Sequence, residues 1–213
     1  MRIVAILLGL LAALSTSTVA MADDYREGEH YVVLQPAVRT ADPGKIEVAE
    51  VFAYSCPHCF HFEPLLQAWE KKQAADVYLM QVHANWNSQM EPLIRGYYTS
   101  VALKIRDQTH MAVFNALHLE HKNLTSAEQW ADFFAPFGID KAKAISTYNS
   151  FGVASQVKQA DARTRQYQVR GTPELIVNGK YRVSSRLTGG QEEMLKVADF
   201  LVAKERAARQ GSQ

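Results

Sequence analysis

The sequence predicts a mixed α/β fold with an all-helical unit inserted into it, and three observations carry that prediction. Ile46 to Tyr54 and Val77 to Val82 are β-rich runs on either side of an amphipathic stretch. From about Met90 to Ala160 the apolar spacing is helical, with no obvious strand. Strand signal returns only at Glu174 to Val177, so the two halves of the sheet lie far apart in the chain. The implied division is residues 23–85 and 161–213 for the α/β unit and 86–160 for the insert, with candidate hinges near Asn85 and Ala160.

Residues 1–22 read as a secretory signal peptide: Arg2 is the positive start, Ile3 to Leu14 the apolar run, and Ala20-Met21-Ala22 a cleavage site before Asp23. A run of about a dozen apolar residues falls short of the roughly 20 that span a bilayer. Tyr31 to Leu34 offers a short strand, Asp42-Pro43-Gly44 a turn, and Ile46 to Tyr54 a longer strand that stops just before Cys56. From Pro57 onward Phe60, Pro64, Leu65 and Trp69 suit one helix face, with Pro57 at the first helical position and Pro64 expected to kink the helix. Within the insert, Thr125-Ser126-Ala127-Glu128 reads as a capping box opening a helix through Phe134, Gly138 as its stop, and Asp140 as the next cap. Tyr97, Tyr98, Phe114, Phe133, Phe134 and Phe137 are the insert's expected core. Asn178-Gly179 between Glu174–Val177 and Lys180–Val183 is a two-residue hairpin signature. A last helix from Gln191 to about Ala208 puts Met194, Ala198 and Leu201 on one face, and Lys204, Arg206 and Arg209 toward its negative end.

With 213 residues, 47% of them apolar, the chain can bury a full core. Its formal net charge of +1 argues against the strongly basic face of a nucleic-acid binder, and no nucleic-acid partner is expected. The two cysteines, Cys56 and Cys59, are the only ones, and an exported chain that used disulfides as staples would space them widely. A bridge closing so small a loop removes little entropy from the unfolded chain, which argues against a purely structural disulfide. A zinc site from Cys56, Cys59, His58 and His61 lacks a second cysteine pair, so no metal is expected. Redox exchange fits better. A thiol at a helix N-terminus ionises more readily, which makes Cys56 the exposed nucleophile and Cys59, one turn on, the buried resolving thiol. Pro57 stiffens the turn, and His58 can stabilise a sulfur anion. His118 and His121 read as a solvated helix face, His83 as a structural histidine, and Glu63 as a routine solvated helix carboxylate.

Phe52-Ala53-Tyr54-Ser55-Cys56-Pro57-His58-Cys59, followed by Phe60-His61-Phe62-Glu63, resembles the active-site segment of the DsbA family of periplasmic disulfide oxidoreductases. The mature start Asp24-Tyr25, the Gly171-Thr172-Pro173 segment, the run Val177 to Tyr181 and the helical insert agree, so the resemblance spans essentially the mature chain. It implies a thioredoxin-like fold with an inserted all-helical domain, working in the periplasm. It implies donation of the Cys56–Cys59 disulfide to folding exported proteins, reoxidation by a DsbB-like membrane oxidase, and no cofactor beyond that disulfide. A monomer is expected. The resemblance also implies a cis Pro173 against the bridge, a Thr172 backbone that pairs with substrate as an added strand, and a buried Glu50 that handles the proton of Cys59. Strand alternation puts Glu50 on one face with Val48 and Phe52. Gln81 stands where some members have a lysine paired with that acid, and Thr172 where many oxidases have valine and related isomerases and reductases have threonine. The competing readings are a reductase or isomerase on the same fold and a non-catalytic chaperone module. Isomerases of this group usually carry a separate dimerisation domain, for which the residues before Ile46 leave no room, and this leans toward the oxidase.

Overall fold

Strand β2 (Ile46–Phe52) is buried at every residue, which fits a central strand covered on both faces. The computed structural model describes residues 25–211, so the signal peptide expected over residues 1–22 lies outside the described residues. With β1 (Val32–Val33), β3 (Val77–His83), β4 (Glu174–Val177) and β5 (Tyr181–Ser184) it forms one sheet in the order β1-β5-β4-β2-β3. The β2–β3 pair is parallel and places Glu50 beside Gln81. β4, arriving after the insert, runs antiparallel to β2 and links it to β5. Helix α1 (Pro57–Glu70) joins β2 to β3. The insert contains α2 (Glu91–Ala102), α3 (Arg106–His118), α4 (Ala127–Phe134), α5 (Lys141–Tyr148) and the start of α6 (Phe151–Gln166). After β5 come a single turn, α7 (Ser185–Thr188), and α8 (Gln191–Gln210).

Two apolar clusters hold these layers together. On one face of the sheet Ile46, Val48, Leu175 and Val177 pack on Phe62 and Leu66 of α1 and on Met194, Ala198 and Leu201 of α8. The second cluster joins Ala49, Val51, Phe52 and Tyr54 to Ile94, Phe114, Trp130 and Phe134 of the insert. Sheet and insert thus bury a common core. α6 reinforces the contact by running unbroken across residue 160, with Arg163 3.4 Å from the buried Glu47 of β2. The boundary and hinge expected at Ala160 therefore fall inside a helix, because the chain returns to the sheet only after Gln166.

Local chemistry moves several element ends. β2 stops at Phe52 rather than Tyr54, since the Tyr54 N–H leaves the ladder to donate to His83 Nε2 at 3.1 Å. α1 continues past Pro64 as one helical span. The capping box of α4 is shifted by one residue. Ser126 Oγ accepts from the Gln129 N–H at 3.3 Å, and Gln129 Oε1 accepts from the Ser126 N–H at 3.2 Å, while Glu128 is left in the first turn. In the hairpin Asn178 and Gly179 adopt φ of 50° and 64°, as a primed turn requires, but β5 begins at Tyr181 rather than Lys180. Phe114 and Phe134 are fully buried, whereas Phe133 and Phe137 are only half-buried.

Candidate active site

Cys56 is the N-cap of α1, with Pro57 in the first turn. An N-cap side chain faces the N–H groups of the second and third helical residues, which here are His58 and Cys59. A sulfur in that place gains most when it is an anion. The Cys56 pKa is accordingly lowered to about 5, first through a hydrogen bond with the Cys59 thiol, against partial burial, and then through Thr172 and the backbone N–H groups of Cys59 and His58. Cys56 is half-buried, Cys59 fully buried, and both are free thiols. Burial pushes the Cys59 thiol far up, and the Cys56 sulfur and Glu50 add to it. Two neighbouring thiols thus have opposite preferences for charge. His58 is exposed, and its carbonyl accepts from Gln191 Nε2 at 2.7 Å.

The Thr172–Pro173 bond is cis and brings the Thr172 carbonyl oxygen to 3.2 Å from Cys56 Sγ, which donates to it. Pro173 itself is buried. Residues more than 110 positions apart thus meet at one sulfur.

Beneath the cysteines lies a polar cluster that the sequence reading only partly anticipates. Glu50 is fully buried on β2, and Glu63, expected on a solvated face, is buried as well. The reason is helix phase: Cys59, Phe62, Glu63 and Leu66 are all buried, spaced as one stripe of α1. The amide nitrogen of Gln81 bridges the two acids, donating to Glu50 Oε2 at 2.6 Å and to Glu63 Oε2 at 2.9 Å. Glu63 also receives Gln67 Nε2 at 2.8 Å and lies 3.2 Å from His110 Nε2 of α3. Among the described residues Glu50 has Gln81 alone, and its Oε1 has no partner. Three donors against one decide which carboxyl carries the charge. Burial, then Glu63, raises Glu50 well above the usual range despite Gln81 and Arg106. Burial acts in the same direction on Glu63 but is outweighed by His110, Gln67 and Arg106, so that carboxyl lies below it. Burial also lowers His110, against the pull of Glu63. The neutral ring donates from Nε2 to Glu63 and accepts at Nδ1 from the Tyr54 hydroxyl at 2.8 Å. The site therefore sets a carboxyl biased toward its neutral form, Glu50, near a buried thiol.

The remaining histidines are placed differently from one another. His118 is half-buried rather than solvated: Nε2 lies 2.8 Å from the Tyr54 carbonyl oxygen and the ring stacks on Phe60, centroids 5.1 Å apart. His121 lies beyond the end of α3 and is exposed. His83 is buried and accepts from Tyr54, and burial lowers its pKa to about 3. Among the described residues no three His, Cys, Asp or Glu side chains are grouped as a metal site requires.

A model of the DSBA-like thioredoxin domain matches residues 78–201. The thiol:disulfide interchange protein DsbA of Pseudomonas aeruginosa is 45% identical over 189 residues, which is 89% of this chain and 90% of that protein. The DsbA of Azotobacter vinelandii is 40% identical over 200 residues, 93% and 94% of the two chains. The crystal structure of Pseudomonas aeruginosa DsbA superimposes with a TM-score of 0.84 at 44% identity, covering 89% of this chain and 98% of that one. The oxidoreductase DsbA from Xylella fastidiosa does so with a TM-score of 0.81 at 34% identity, covering 86% and 98%.

Proposed function

This chain belongs to the DsbA family of thiol:disulfide interchange proteins, and from that premise we propose how its own residues donate a disulfide to exported proteins in the periplasm. It is a thiol:disulfide oxidoreductase of thioredoxin-like fold. In the oxidised protein a client thiolate attacks Cys56 Sγ, the Cys56–Cys59 bond breaks, and a client–Cys56 mixed disulfide forms. Cys59 leaves with the electron pair of that bond. As a buried anion it takes the proton that Glu50 holds, and Glu50 recovers a proton from solvent between turnovers. The client's second thiolate then attacks its own sulfur in the mixed disulfide, the client disulfide closes, and Cys56 departs as a thiolate. The client loses two electrons, the protein gains them, and the client's two thiol protons go to solvent at its two ionisations.

The observation that carries this reading is the placement of Cys56 at the N-cap of α1, with its pKa near 5. A leaving group that is a stable anion drives the last step toward client oxidation. Thr172 and Pro173 bind the client backbone beside Cys56, Pro57 holds the turn, and His58 adds donor character at its rim. No cofactor beyond the disulfide takes part. A DsbB-like membrane oxidase restores it, and the protein works as a monomer, with residues 86–160 as the helical cover of the α/β unit.

The test is to mix oxidised protein with a reduced two-cysteine peptide and measure peptide disulfide and protein thiols together, then to equilibrate the protein with glutathione. Stoichiometric transfer, its loss in Cys56→Ala, and a potential well above the roughly −270 mV of thioredoxin are expected. Transfer that survives in Cys56→Ala, or a potential at or below that of thioredoxin, overturns the reading.

A further inference from the structure

The residue that touches the nucleophilic sulfur also divides the surface around it. Thr172 lines two separate clefts. One, of about 470 Å³, holds Cys56 with Trp86, Met90 and Leu93, and Trp86 is 46% exposed. The other, of about 410 Å³, runs from Gly171-Thr172-Pro173 along the start of α7 and contains Arg170, Arg182 and Arg186. These three arginines are not equivalent. Arg182 is buried, bonded to the Gln168 carbonyl and 3.7 Å from Glu174. Glu174 is the carboxylate in that lining, and its other oxygen accepts the Arg170 backbone N–H at 3.4 Å. Arg170 and Arg186 are exposed, and among the described residues neither guanidinium makes a hydrogen bond or ion pair. Two exposed cations without a side-chain hydrogen bond or close ion pair, Arg170 feeling only the charge of Glu174, therefore stand on one side of the reacting sulfur, and on the other lies a cleft of mixed lining in which Trp86, Met90 and Leu93 sit with Ser55, Asn87 and Gln89.

We propose that the Arg170–Arg186 cleft selects client segments that carry acidic side chains on one flank of the reacting cysteine. This rests on the disulfide-donor reading above and names its substrate class. Arg170 precedes Thr172 by two residues, a span of at most about 7 Å of chain. An extended client advances about 3.3 Å per residue, so a side chain two to four positions from its cysteine falls within reach of both arginines. Guanidinium groups that make no hydrogen bond or close ion pair break none when they bind a carboxylate, and their planar fork suits it; the Glu174 charge near Arg170 is already engaged by the closer Arg182. The charge also attracts an acidic client before contact, an effect that salt removes.

The test uses oxidised protein and reduced two-cysteine peptides of one core sequence bearing two Glu, two Lys or two Ser on either flank. The Glu peptide of one flank is expected to be oxidised about tenfold faster than its Lys counterpart at low salt, with the gap closing as salt rises. Charges in the peptide also alter its own thiol reactivity, so the deciding quantity is how the Glu-to-Lys ratio changes between wild type and Arg170→Glu/Arg186→Glu. Both side chains are exposed and unpaired, and thiolate absorbance of Cys56 reports that the variant's site is intact. A ratio that falls by tenfold or more in the variant supports the cleft, and a ratio that does not change overturns it. If wild type oxidises none of the peptides, the Ser peptide included, it is the disulfide-donor reading that fails. If it oxidises all of them with a variant-independent ratio, only the cleft inference fails.

Discussion

Reduced protein is expected to lose stability as pH falls from about 8.5 to about 5, and oxidised protein is expected to lose none from this source. The Cys56 pKa is lowered to about 5 in the fold, against about 8.5 for a free thiol. A gap of about 3.5 units at 1.36 kcal/mol each is roughly 5 kcal/mol for a fully shielded group. Cys56 is half-exposed, and solvent screening brings this to about 2–3 kcal/mol. Because the folded pKa is the lower one, the contribution is complete above the unfolded pKa and vanishes as pH drops through the folded value. Oxidation removes the thiolate and with it the whole dependence. The measurement is urea unfolding of oxidised and reduced protein at pH 8.5, 7 and 4.5, with reduced Cys56→Ser to subtract carboxylates and histidines. At a urea slope of about 2 kcal/mol/M the reduced wild type should shift its midpoint by about 1 M relative to that variant across the range. Parallel pH curves for the two, or a thiolate absorbance midpoint near 8.5, would refute the N-cap argument.

Glu50→Gln keeps the shape but removes the proton, so single-turnover oxidation of a peptide should slow by about 10²-fold; an unchanged rate would show that Cys59 finds its proton elsewhere. His58→Ala should raise the thiolate midpoint by roughly one unit or less, since the backbone N–H of residue 58 remains, and absorbance against pH reads this directly. His110→Leu leaves Glu63 buried with one donor fewer and should cost about 3 kcal/mol in urea unfolding, with part of the loss recovered when Glu63→Gln is added. No recovery would mean that the loss is one of packing rather than of charge.

What was legible in the sequence is what is local. Cys56 at the cap, Pro57 in the first turn, the buried Cys59 and the helix they begin all lie within a few residues, where capping and periodicity act directly. The hairpin turn and the Asp140 cap are local in the same way. The α4 cap lies one residue from the expected one because Thr125-Ser126 offers two hydroxyls and Glu128-Gln129 two possible partners, and only the helix phase chooses between them. Glu63 could have been found, because its spacing from Cys59 and Leu66 puts it on the inner stripe of α1. The general preference of carboxylates for solvent outweighed that signal. His110 had no comparable signal, since its role depends on how α3 packs over the sheet.

Gln81 shows why such couplings escape a reading by residue type. The resemblance leads to the expectation of a lysine there, and a neutral side chain then suggests that the link to Glu50 is lost. The parallel register of β2 and β3 instead sets Gln81 beside Glu50, and its amide has two hydrogens, one for each acid. What a neutral bridge does not supply is charge, and that changes the outcome. A cation between the carboxyls would favour ionising both. An amide supports one anion, and the extra donors from Gln67 and His110 assign that anion to Glu63, leaving Glu50 protonated next to the thiol that needs a proton. On the proposed mechanism the inserted helices contribute to the chemistry as well as to the cover, because His110 from α3 contacts Glu63 and lowers the pKa of that member of a pair carried by β2 and α1.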